Sequence, residues 1–189
     1  MFQLTEDAQR LLLQIARNAA RSYLSGQSPH MPEIPPGILT ESCGVFVSIH
    51  KGTNLRGCIG NLHSASPLYR ATAECAVAAA VGDPRFMPMS AAELQEVEFE
   101  VSVLSPLSRV SHIHEIEIGT HGLLVNKNGS RGLLLPQVAA AYGWDRERFL
   151  QETCVKAGLM RDEWMNGAAI DCFSAIVFAE KQFHHSLAT

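Results

Sequence analysis

The chain has 189 residues, 47% apolar and 18% charged, with no apolar run of the roughly 18 residues a membrane span needs; this is the composition of a soluble chain able to bury one compact domain or two joined lobes without disulfides. Fifteen Lys and Arg against nineteen Asp and Glu leave a formal charge of -4, the reverse of the basic balance that nucleic-acid phosphates demand, so neither nucleic acid nor membrane is an expected partner. The opening MFQLTEDAQRLLL lacks the marks of a signal peptide, which predicts a cytoplasmic protein, and five scattered cysteines without C-x-x-C spacing indicate neither a disulfide framework nor a zinc knuckle.

Thr5 is placed to cap a first helix whose apolar positions Ala8, Leu11, Leu12, Ile15, Ala19 and Tyr23 repeat at helical spacing up to Gly26. The segment from Gln27 to Gly37 holds four of the nine prolines and reads as a connector. Val45, Val47 and Ile49 alternate with Phe46, Ser48 and His50, and a KGTN turn leads to Leu55–Ile59, which predicts a hairpin. Ser66-Pro67 opens a second helix whose small face (Ala71, Thr72, Cys75, Ala76, Ala79) suits close packing on a sheet before a stop at Gly82. A proline-broken DPRFMPM follows, then Ser90 and Glu93 at capping-box spacing and an alternating strand over Phe99–Val103.

Beyond a loop carrying His112 and His114, the runs 122–125 and 132–135 flank Asn128-Gly129, a hairpin-turn pair. Pro136 opens a third helix ending at Gly143, Asp145 caps a fourth over 146–157, and 170–179 reads as a closing strand. Strands joined by short turns rather than helical crossovers predict an α+β fold with mainly antiparallel sheets flanked by helices.

The most unusual run is Leu55-Arg56-Gly57-Cys58-Ile59-Gly60. Two glycines let the backbone come close to a ligand, and an arginine beside a cysteine favours thiol chemistry. The alternative is a small buried cysteine in a bulged strand, with Arg56 as an ion-pairing group. His121, between glycines in GTHG, is the histidine best placed to take a proton or hold a ligand, and it is a conceivable partner for Cys58; a lone histidine at a strand start also serves simply to bond a neighbouring loop. His63, His112 and His114 are ordinary further candidates, and His184 and His185 read as part of a solvated tail. Asp83-Pro84-Arg85-Phe86 offers either a rigid guanidinium fork for an anion or a local ion pair that shapes the connection. No phosphate loop, dinucleotide fingerprint, nucleophile elbow or H-E-x-x-H is present.

LRGCIG (55–60), DPRF (83–86), VSVLSP (101–106), GTHG (119–122) and LLLPQVAAAYGWD (133–145) together resemble the AMMECR-one family, and its prokaryotic branch, AmmeMemoRadiSam system protein A, over nearly the whole chain. The resemblance implies one domain of two unequal sub-lobes, the smaller built around 105–165, with a groove between them. It gathers Arg56, Gly57, Cys58, Gly60, Asp83, Arg85, Phe86, His121, Gly122 and Pro136 around that groove. It implies no named reaction, cofactor or metal. Neighbouring functions in the system are a Memo-like protein and a radical S-adenosylmethionine protein. In the enzyme reading Cys58 is nucleophile or thiol ligand, His121 its base or co-ligand, and Arg56 and Arg85 an anion clamp for a small molecule; in the binding-module reading the same residues dock a partner or metabolite without turnover. Here Met87 follows DPRF where many members have proline.

Overall fold

The structure is a computed structural model that describes residues 3–62 and 64–183; His63, His184 and His185 lie outside them. The chain divides into two compact units, Met1–Leu104 with Ile176–Thr189, and Ser105–Ala175. Four α-helices and antiparallel strand pairs make the described chain α+β.

In the first unit, helix α1 (Glu6–Leu24) begins where Thr5 Oγ1 accepts the Ala8 amide at 3.3 Å and stops before Gly26, whose φ of 66° lies in the left-handed region. Its buried stripe is Leu12, Leu13, Ile15, Ala16, Ala19 and Ala20; Tyr23, expected on that stripe, faces solvent instead. Strands β1 (Gly44–Lys51) and β2 (Asn54–Asn61) form the expected hairpin, and β3 (Glu98–Leu104) pairs with the other side of β1, leaving β2 at an edge. Val45, Val47, Ile49, Phe99, Val101 and Val103 pack into one core with α1 and helix α2 (Leu68–Val81). Burying each such side chain contributes about 1.5–3 kcal/mol, so this face fixes the strand register. The alternate positions, Phe46, Ser48, His50, Glu98 and Glu100, therefore occupy the opposite face, where Cys58 stands across from Ser48.

Pro67 stands at the N-cap of α2 rather than inside it, because its ψ of 149° is extended. Ser90 and Glu93 close a capping box on a single 3-10 turn, Ala91–Gln95, and not on an α-helix. The second unit holds β4 (Ser108–Arg109), the hairpin β5 (His121–Lys127) and β6 (Ser130–Leu134), helices α3 (Pro136–Ala141) and α4 (Arg146–Lys156), and most of β7 (Ala169–Ala179), which pairs with β4 and β5. Asn128 and Gly129 both adopt positive φ in the β5–β6 turn, as their sequence predicts. Ile116, Leu123, Ala139, Phe149 and Leu150 fill its own core.

Candidate functional site

The LRGCIG run is most of strand β2, and its conformation follows from what each residue must avoid. Ile49 pairs with Gly57 and the next β1 residue, His50, with Leu55, so Arg56 is the extra residue of a β-bulge. A Cβ at Gly57 would lie 2.1 Å from the carbonyl oxygen of Ala79, so glycine is what lets β2 lie directly against α2. At Gly60 a Cβ would meet the Phe46 ring at 2.3 Å, and at Gly122 the Phe173 ring at 2.4 Å. The space at Gly57, Gly60 and Gly122, read from sequence as room for a ligand, is taken by the protein's own backbone and aromatic rings.

Cys58 is the one half-buried cysteine of the five; Cys43, Cys75, Cys154 and Cys172 are buried. Burial pushes those four thiols up, Cys75 to about 11, which holds them in the unreactive neutral form. Ser48 donates its hydroxyl to Cys58 Sγ at 3.2 Å. Because β2 is an edge strand, the Cys58 peptide group points away from β1, and the DPRF loop closes on it. The Cys58 amide donates to Asp83 Oδ2 at 2.9 Å, and Arg85 donates to the Cys58 carbonyl at 3.4 Å. Arg85 in turn grips Asp83 through Nε at 2.9 Å and Nη2 at 2.6 Å, and its own amide adds a third bond at 3.1 Å. Asp83 and Arg85 thus stand in for a missing neighbouring strand at this one peptide. The Asp83 side chain is only 2% exposed. The Arg85 guanidinium, helped by the Cys58 and Arg85 amides, holds its carboxyl well below the usual carboxylate range, against burial, which acts the other way.

The anion clamp expected from Arg56 and Arg85 is not what the side chains form. Arg56 donates to Glu93 at 3.1 and 3.4 Å, and Glu93 also accepts the Ser90 amide at 2.9 Å, so the arginine is tied into the capping box. Its side chain is 16% exposed. Arg85 keeps 57% exposure but is committed to Asp83, with its guanidinium 5.5 Å from the half-buried Phe86 ring. Both guanidinium groups therefore carry an internal carboxylate.

His121 opens β5 in the second unit. Its Nδ1 accepts the Glu117 amide at 3.1 Å while its own amide donates to the Glu117 carbonyl at 2.8 Å, closing the turn that contains Gly119 at φ 85°. An Nδ1 that accepts a backbone N–H places the neutral ring's proton on Nε2, so the ring offers a donor and lacks the free acceptor a general base needs. Gly122 follows it in β5, and Pro136 is buried at the first turn of α3. Ser48 was not among the candidates read from sequence, although its alternation with Val47 and Ile49 marked it as facing away from the core. Among the described residues, no three His, Cys, Asp or Glu side chains are grouped so as to hold a metal ion, and no helix is long and apolar enough to cross a membrane.

The described chain is thus an α+β protein with one half-buried cysteine on a glycine-lined edge strand, its peptide clamped by an Asp-Arg pair from a proline-stiffened loop. The chain belongs to the AMMECR1 family, whose model matches residues 13–178. It is 44% identical over 166 residues to a protein of Methanothermobacter thermautotrophicus, covering 84% of this chain and 86% of that one. It is also 41% identical to protein MK0488 of Methanopyrus kandleri, over 95% of this chain and 91% of the other. The crystal structure of the uncharacterized protein PH0010 from Pyrococcus horikoshii superposes with a TM-score of 0.85 at 38% identity, covering 95% of this chain and 94% of that one.

Proposed function

We propose that the first unit is a thiol-centred small-molecule site in which Cys58 is the nucleophile, and that the protein acts in the cytoplasm alongside a Memo-like protein and a radical S-adenosylmethionine protein. The observation that supports this reading is the contrast among the cysteines: four are buried with thiols raised by burial, and only Cys58 is half-buried, with a hydroxyl donor at its sulfur. Asp83 and Arg85 act here as positioning residues, since they fix the main chain of Cys58 and not the thiol itself. The partners follow from the family resemblance alone.

The test is alkylation of the native protein with iodoacetamide, in which a sulfur–carbon bond forms and iodide leaves. One carbamidomethyl group per chain is expected under native conditions and none in Cys58→Ser, with the other four cysteines reacting only in denaturant. Labelling spread evenly over several cysteines, or a Cys58 that stays unlabelled until unfolding, removes the basis for the reading. Co-purification with the two partner proteins tests the partners separately.

A further inference from the structure

Strand β2 pairs with β1 alone and stands at one end of the strand order, and an open strand edge is a template for pairing with another chain. We infer that the Asp83-Arg85 pair is an edge guard: it occupies the one β2 peptide through which two copies of this chain would join by antiparallel strand addition, and so keeps β2 from self-association. The inference does not rest on the thiol reading of Cys58.

The guard treats the Cys58 peptide as a neighbouring strand would. Asp83 Oδ2 takes its N–H at 2.9 Å and Arg85 Nη2 reaches its carbonyl at 3.4 Å. One acceptor and one donor thus fill the places that a paired residue fills with its own carbonyl and amide. Water satisfies an exposed edge peptide without any buried charge, yet here a carboxylate only 2% exposed is committed to it, held in place by the side chain and the amide of Arg85. Pro84, between the two guard residues, and Pro88 lack an N–H, so the loop that covers the edge does not itself extend the sheet. The bulge at Arg56 distorts the same edge on the other side of Gly57. Charge, proline and a bulge are the devices by which sheets blunt their edges.

The occupant that the guard excludes is a second copy of the chain. Hydrogen-bonding direction alternates along a strand, so the Gly60 peptide points outward with that of Cys58. If two β2 strands lay antiparallel about a two-fold axis at Cys58, each Cys58 would exchange its amide and its carbonyl with its counterpart, and Gly60 of one copy would face Arg56 of the other. Such an interface is isologous, and blocking its central peptide blocks both halves at once.

Asp83→Ala combined with Arg85→Ala strips both bonds from the Cys58 peptide. Sedimentation velocity over the micromolar-to-millimolar range, in which unpaired strand edges associate, should show the sedimenting mass of the folded double variant doubling relative to wild type. Asp83→Asn loses the charge but keeps a side-chain carbonyl for the Cys58 amide, and should sediment as wild type does. Hydrogen exchange locates the contact: in the double variant the Cys58 amide should exchange at least tenfold more slowly at the high end of the concentration range than at the low end. If the double variant does not fold, Asp83→Ala and Arg85→Ala singly carry the test on the same terms. The inference is overturned by a folded variant that sediments as wild type at every concentration, by association that leaves exchange at Cys58 unchanged, or by equal association of Asp83→Asn.

Discussion

Asp83 shows how a single residue serves two parts of the chain. Its carboxylate satisfies an edge-strand amide 25 positions earlier and the guanidinium two positions later. Because its folded pKa is depressed below the ordinary value of about 3.9, the stability it contributes is present above that pH and is lost as pH falls toward the folded value. Asp83→Asn is therefore expected to cost about 1–3 kcal/mol at pH 7, with the difference from wild type shrinking below about pH 4; urea unfolding at pH 7 and pH 3 measures both. A gap that stays constant across that range would show that the charge of Asp83 is not what matters. Arg56 is the complementary case. Arg56→Lys keeps the charge but loses the planar fork that reaches both oxygens of Glu93, so a loss of about 1 kcal/mol in unfolding free energy is expected.

At the scale of elements, the contact between β2 and α2 depends on the absence of one methyl group. The atom a new Cβ would strike at Gly57 is a helix carbonyl, which cannot rotate aside as a side chain can. Gly57→Ala should thus push the edge strand off α2 and cost about 2 kcal/mol or more, read as a lowered thermal midpoint. The same displacement would pull the Cys58 peptide away from Asp83, so the variant's Cys58 amide should exchange with solvent faster. An unchanged midpoint and unchanged exchange would mean that α2 yields without cost. The bulge at Arg56 belongs to the same element: one extra residue on β2 re-aims the guanidinium toward Glu93, while Cys58 keeps its place opposite Ser48.

Across the whole molecule, the first unit is assembled from both ends of the chain. Arg17 of α1 meets Glu180, 163 residues later, through bonds of 2.5 Å, and Glu180 also accepts the Phe99 amide at 2.8 Å. Phe178 enters the same core. Contacts of such sequence separation go with slower folding across small domains. Glu180→Gln removes the charge that the partly buried Arg17 faces, and a loss of about 2 kcal/mol is expected by denaturant titration. A change below a few tenths of a kcal/mol would show that the Leu94 and Val97 carbonyls suffice for Arg17.

Local chemistry and periodicity decide the helix ends, the turns and the two faces of the strands. Thr5 and Asp145 cap their helices, Asn128-Gly129 makes a hairpin turn, and the alternation around Val47 and Val101 separates a dry face from a wet one. Antiparallel pairing followed from turns too short for a crossover. The sequence also singled out Cys58, Asp83 and Arg85 as unusual and offered the Asp83–Arg85 ion pair as one of two readings, but not its hold on the Cys58 peptide. That the glycines of LRGCIG make room for α2 and Phe46, that Arg56 answers Glu93, and that Asp83 bonds the peptide of Cys58 are visible in the folded chain alone. Each of these pairings joins segments far apart in the chain, and a side chain's partner across that distance is set by strand register and helix placement, which no local pattern encodes.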